Sequence, residues 1–240
     1  MAQPVPNKTA WDLTTAAIMP GGGIAKRPLH FIIAADCSWS MHGEKMQALN
    51  YAIATMLPRL AEWERAQENA QVFVRAVRFD NRASWHIEEP TPVSQVRWTP
   101  LRCEERALTH MGAALRLMAS VLTVDQLERR ALRPALILIT DGIATDNFET
   151  GLAELLATPG GAAAIRVAVA IGQDARPQQL AKFSDETVGV LHASNAEDIP
   201  DLLMAVSVAV SRMSEVGADK ANLTQQLRQH GYDPTDDSIV

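Results

Sequence analysis

Phe31-Ile32-Ile33-Ala34-Ala35-Asp36-Cys37-Ser38-Trp39-Ser40, written FIIAADCSWS, is an apolar run that stops at an aspartate and then places two serines at alternate positions. A short apolar run bounded by polar turn residues reads as a strand buried on both faces, as in a parallel sheet covered by helices. Ligands of open α/β sheets lie beyond the carboxyl ends of the strands, where Asp36, Ser38 and Ser40 fall. One carboxylate and two hydroxyls offer only hard oxygen donors, a chemistry suited to Mg2+, Mn2+ or Ca2+ and not to zinc.

The same pattern recurs further along. ALILIT at 135–140 is a second fully apolar strand and runs into Asp141-Gly142, while IRVAVAI at 165–171 is a third, ending at Gly172. VFVRAVRF at 72–79 and a shorter candidate at 83–87 stand at hairpin distance around Asp80-Asn81, which predicts an antiparallel edge pair. Helical spacing of apolar residues predicts helices over 44–65, 113–122, 124–131, 148–156, 177–183 and 199–213, the last with Leu202, Leu203, Val206 and Val210 inward. Pro58 is expected to kink the first helix or start a second segment. A short strand is expected at 188–191, and 88–103, with Pro90, Pro92 and Pro100, as an irregular surface loop.

This alternation defines an α/β fold, a three-layer α/β sandwich whose central sheet is mostly parallel with one antiparallel edge strand. One domain over 29–215 suffices. Residues 1–28, with Pro4, Pro6, Pro20 and Gly21-Gly22-Gly23, read as an irregular leader, and 216–240 as a polar tail. The glycine run lacks the Lys-Ser/Thr of a phosphate-binding loop.

Composition narrows the function. In 240 residues, 47% hydrophobic and 21% charged positions are the balance of a soluble globular protein. The net charge of −6 and the absence of a basic stripe argue against a nucleic-acid partner. No signal-peptide pattern opens the chain and no apolar run is long enough to span a bilayer, so the expected compartment is the cytoplasm, with no membrane partner. Cys37 and Cys103 have no metal-ligand spacing and are expected to be small reduced residues.

Three separated segments are thus expected at one end of one sheet: Asp36-x-Ser38-x-Ser40, Thr109 before a glycine-containing helix start, and Asp141-Gly142. Together they resemble the metal-ion-dependent adhesion site of von Willebrand factor A domains, whose Rossmann-like fold covers roughly 29–213 here. That resemblance implies that Ser38, Ser40 and Thr109 place hydroxyl oxygens around a divalent cation, with Asp36 and Asp141 acting directly or through water. It also implies a protein partner supplying an aspartate or glutamate as the outside ligand. Within the family, Asp36-Cys37-Ser38-Trp39-Ser40-Met41 and Thr109-His110-Met111-Gly112-Ala113-Ala114-Leu115 are most similar to bacterial tellurite-resistance proteins of the TerY type. Those are cytoplasmic and often encoded beside a serine/threonine kinase and a PP2C-type phosphatase, which suggests partners in stress response or phospho-signalling.

One position departs from the family: Trp39 stands where glycine is usual. It reads either as a partner-binding anchor or as a ring packed on the leader near Trp11. Trp98, in the 88–103 loop, is the other expected partner contact. His42 and His110 flank the motif as surface residues or as neighbours of the ligands, and Asp146 is read as ending a turn or bonding a metal-bound water. No nucleophile and base pair accompanies the cluster, so the chain is read as a binding module and not an enzyme. The alternative is a metal-dependent phosphate-ester hydrolase. An aspartyl phosphotransferase would want a second carboxylate two residues after Asp36, where this chain has Ser38.

Overall fold

Alternate side chains of the first strand feed two different cores, and this fixes the layers. The computed structural model describes residues 26–66, 68–172, 177–185 and 189–213; most of the expected leader, Trp11, the tail and the side chain of Val210 lie outside them. Strand β1 (Arg27–Asp36) buries Phe31, Ile33 and Ala35 against α1 (Glu44–Ala66) and α6 (Ile199–Met213). Its other face, Ile32 and Ala34, meets α2 (Met111–Ala119), α3 (Phe148–Ala157) and α5 (Pro177–Phe183). Burial on both faces explains the near-continuous apolar run, because neither set of side chains reaches water.

The other strands are β2 (Ala70–Phe79), β3 (Ala83–Pro92), β4 (Ala135–Thr140), β5 (Ile165–Ile171) and β6 (Val190–Ala193). They form one sheet in the order β3-β2-β1-β4-β5-β6, with only the β2–β3 pair antiparallel. The expected fold class is therefore the observed one. All six residues of β4 are buried, and each large aliphatic side chain there contributes about 1.5–3 kcal/mol of apolar burial. The order has a functional consequence. The chain leaves β1 toward β2 on one side and returns to β4 on the other, so the topological switch point, where open sheets form a crevice, lies at the ends of β1 and β4.

Several local expectations need correction. Pro58 starts no second segment: α1 runs through it as one helix. Pro58 and Ala54, whose carbonyl loses its helical donor, are both exposed, so solvent can satisfy that carbonyl. Residues 124–131 form turns and no helix. Their flanks bond across the fold instead: Leu122 O accepts Gly160 N–H, Leu132 N–H donates to Pro28 O, and the Glu128 carboxylate takes His30 Nε2 at 2.8 Å. The edge strand extends past 87 through Pro90 to Pro92, which a strand tolerates because an outer edge needs no ladder donors. A five-residue helix not anticipated, α4 (Pro159–Ala163), starts at Pro159 with the Thr158 hydroxyl capping Gly161 N–H. Finally, β1 begins at Arg27, inside the stretch read as leader.

Candidate metal centre

Asp36 is the last residue of β1 and is fully buried. Its Oδ1 accepts the backbone N–H of Ser38 at 2.8 Å, which turns the chain sharply out of the strand. Its Oδ2 accepts the hydroxyl of Thr140 at the end of β4. From there the polar groups form a chain. Ser38 Oγ lies 3.0 Å from Ser40 Oγ, Ser40 Oγ donates to Asp141 Oδ1 at 2.7 Å, and Lys45 Nζ donates to Asp141 Oδ2 at 2.6 Å. A methyl group built on Gly142 would stand 3.4 Å from Thr109 Oγ1 and 3.9 Å from Ser40 Oγ. The Thr109 hydroxyl therefore shares the same small space, and all five expected site residues converge at the switch point.

The loop carrying Thr109 is held from two sides. On one side the β2–β3 turn takes part: His110 N–H donates to Asp80 O and Leu108 N–H to Asn81 Oδ1. On the other, Thr109 and Thr145 bond reciprocally, Thr109 N–H to Thr145 Oγ1 at 3.0 Å and Thr145 N–H to Thr109 O at 2.9 Å. Asp146 accepts the N–H groups of Gly112 and Ala113, both at 2.8 Å. Its carboxylate caps α2 from another loop, where a negative charge complements the helix N-terminus. Gly112 is required by packing, since a methyl group there would come 2.4 Å from Asn147 O. Gly151 answers it, with a built methyl 2.3 Å from Gly112 O. Helices α2 and α3 thus touch backbone to backbone, and this clamps the 109–112 and 141–147 loops together.

Electrostatics separates the two aspartates. Burial pushes the Asp36 carboxyl up to about 6, against the opposing effect of its hydrogen bonds from Thr140 and Ser38, with nearby Asp141 adding to the rise. Asp141 is equally buried but carries an ion pair with Lys45. Cys37 turns into the core, its thiol pushed to about 12 by burial. Cys37 and Cys103 are both free thiols, as expected.

Trp39 projects outward, 43% exposed, with its ring stacked on His42 at 4.4 Å between centroids. Trp98 is partly buried and not exposed as expected: its indole N–H donates to Asn50 Oδ1 at 3.1 Å and its ring meets His86 edge-on. Sequence reasoning missed Leu108 and Ile143, both exposed, each adjacent to a site segment as Trp39 is. It also missed Lys45 and Thr140. Lys45 had a signal, because a cation in the first turn of a helix opposes the helix dipole; Thr140 had one as the only polar residue of its strand.

The donor set fits a hard divalent cation. Of the two fully buried carboxylates only Asp141 pairs with an ammonium, and both accept from hydroxyls, so the cluster keeps an uncompensated negative charge in a poorly solvated place. Among the described residues no group of three or more His, Cys, Asp or Glu is gathered as a metal site.

The sheet order, the flanking helices and the strand-end loops are those of the von Willebrand factor A fold. Among solved structures sharing it are a von Willebrand factor type A protein from Catenulispora acidiphila and the ArnB paralog VWA2 from Sulfolobus acidocaldarius. The first is 18% identical with a TM-score of 0.56, over 77% of this chain and 43% of that one. The second is 16% identical with a TM-score of 0.54, over 75% and 45%. Proximal thread matrix protein 1 from the mussel byssus, in a form with a zinc-occupied MIDAS motif, is 16% identical with a TM-score of 0.54, over 76% and 48%. This chain thus spans less than half the length of these structures. No protein-family model and no curated protein matches the sequence. Among the described residues no helix is long and apolar enough to cross a membrane.

Proposed function

We propose that this chain is a protein-interaction module whose strand-end cluster binds a divalent cation, Mg2+ first, and through it an acidic side chain of a protein partner. Asp36, Ser38, Ser40, Thr109 and Asp141 would hold the cation. When bound, it supplies a Lewis-acidic position that an outside carboxylate oxygen completes. The observation that carries this reading is the convergence of two buried carboxylates and three hydroxyls at the β1/β4 switch point. Zinc in the motif of the mussel byssus protein widens the range of cations worth testing beyond Mg2+, Mn2+ and Ca2+.

Trp39, Leu108 and Ile143 are exposed and each lies in or beside one of the three segments of the cluster, and exposed apolar residues at such places favour a protein partner. Trp39 carries this better than Trp98, whose polar atom is already bonded within the fold. Binding without turnover is the reading favoured by the donor set, because Ser38, two residues after Asp36, turns its hydroxyl to Ser40 and no second carboxylate stands there. The finer reading, a cytoplasmic TerY-type protein acting beside a kinase or PP2C-type phosphatase, rests on the motif resemblance. The full burial of Met41 and Met111, both part of that resemblance, supports it only as far as the loop structure goes.

The test is calorimetric titration of Mg2+ and Mn2+ into wild type and the Ser38→Ala/Ser40→Ala double variant, paired with capture of lysate proteins in Mg2+ or in EDTA. We expect saturable cation binding by wild type alone and partners lost in EDTA. Identical partners retained by both proteins and in EDTA would eliminate the metal-bridge mechanism. Metal-dependent turnover of a generic phosphate ester that vanishes in Asp36→Ala would replace it with the hydrolase reading.

A further inference from the structure

We infer that Lys45 is a built-in countercation that makes divalent-cation binding at this cluster depend on an outside carboxylate, so that cation and acidic ligand bind as a coupled pair. This deepens the proposed function and rests on its metal reading.

The geometry divides Asp141 between two neighbours. Its Oδ1 accepts from Ser40 Oγ at 2.7 Å on the side of the hydroxyl cluster, and its Oδ2 accepts from Lys45 Nζ at 2.6 Å. The lysine starts from the first turn of α1 and reaches past the end of β5, where its Nζ is 3.7 Å from a methyl group built on Gly172. Its side chain is 30% exposed while that of Asp141 is fully buried, so solvent screens the pair only from the lysine side.

The charges then decide the behaviour. Asp36 and Asp141 contribute two negative charges and Lys45 one positive charge, and every hydroxyl is neutral, which leaves the empty cluster one charge short of neutral on the negative side. A divalent cation turns that deficit into an excess of one positive charge, in surroundings where screening is weak. One outside carboxylate removes the excess. Without the lysine, the two aspartates would neutralise the cation by themselves and nothing would call for the third carboxylate. Lys45 therefore weakens the cation alone and strengthens the anion on the loaded site. By thermodynamic reciprocity the acidic ligand raises cation affinity by the factor through which the cation raises its own.

The experiment titrates Mn2+ into the full chain by calorimetry at constant ionic strength, in chloride and in acetate, for wild type, Lys45→Met, Lys45→Gln and Lys45→Arg. Wild type and Lys45→Arg are expected to bind Mn2+ more tightly in acetate than in chloride. The two neutral variants should bind it about tenfold more tightly than wild type in chloride, equivalent to about 1.4 kcal/mol, and gain little from acetate. If they bind with wild-type affinity in both salts, Lys45 only props up Asp141 and the inference is overturned, whatever the melting temperatures do. Ser38→Ala/Ser40→Ala, run alongside, separates the two readings. Cation binding that the serine variant loses and the lysine variants leave unchanged sinks this inference alone. Absence of binding in wild type and in every lysine variant sinks the metal reading with it.

Discussion

Asp36 ends β1 and Asp141 directly follows the neighbouring central strand β4, and both are fully buried, yet they are neutralised by different means. Asp141 has an ammonium at 2.6 Å; Asp36 is met by the Ser38 backbone N–H and by the hydroxyls of Thr140 and Ser38, and burial raises it to about 6. In the proposed site two similar strand ends would supply different halves: the Asp141 half is balanced within the chain by Lys45, and the Asp36 half has no ion pair among the described residues.

The largest effect should come from removing the unbalanced half. Asp36→Asn keeps a side chain of the same shape but deletes its charge, and Mn2+ binding should fall below calorimetric detection. An affinity within a few-fold of wild type would mean that Asp141 alone anchors the ion.

Next in size is the pH dependence of the metal-free protein. The Asp36 carboxyl is raised above its ordinary value of 3.8, so the stability tied to it is fully present below that value and is lost as pH rises through about 6. Urea unfolding in EDTA should show a loss of about 3 kcal/mol across that window relative to Asp36→Asn. The sign reverses for the cation, whose affinity should weaken as pH falls below about 6 because protons compete for the same oxygens. A metal-free stability that rises across that window would mean that the hydrogen bonds from Ser38 and Thr140 outweigh desolvation.

Gly112→Ala tests the scaffold common to both halves. The added methyl group meets the Asn147 carbonyl at 2.4 Å, too close for side-chain adjustment to relieve. Denaturation should show a loss of about 1–3 kcal/mol, with weakened Mn2+ binding as Thr109 moves away from Gly142. Wild-type affinity in this variant would remove Thr109 from the site. Smallest on the protein itself is Trp39→Ala: an exposed ring stacked only on His42 should change unfolding by about 0.5 kcal/mol or less and leave Mn2+ binding alone. Partner capture is where its loss should register, and undiminished capture would transfer the recognition role to Leu108 and Ile143.

The sheet was legible because both of its central strands are buried on two faces, which writes an apolar run into the sequence, and the nearness of the five expected residues because Asp36 and Asp141 stand at the ends of such runs and Thr109 at a helix start. What escaped depended on contacts between distant segments. Nothing near residue 146 announces that its carboxylate will cap a helix begun at Met111, and Gly112 and Gly151 explain each other only once α2 and α3 are seen to touch. The helical spacing in 124–131 misled because its flanking backbone groups find partners elsewhere in the fold. Pro90 and Pro92 misled in the opposite direction, since proline excludes a residue from the middle of a sheet but not from its border.

That border limits how this molecule can be approached. Beyond β2 the sheet ends in a strand with exposed Glu88 and Glu89 and with two prolines that have no N–H to give. An incoming peptide cannot extend the sheet there by zipping up main-chain hydrogen bonds, and two like charges repel an acidic one. Lateral recruitment of a further strand is therefore discouraged on that flank, and a partner supplying the proposed acidic side chain would be channelled end-on, toward the tips of β1 and β4.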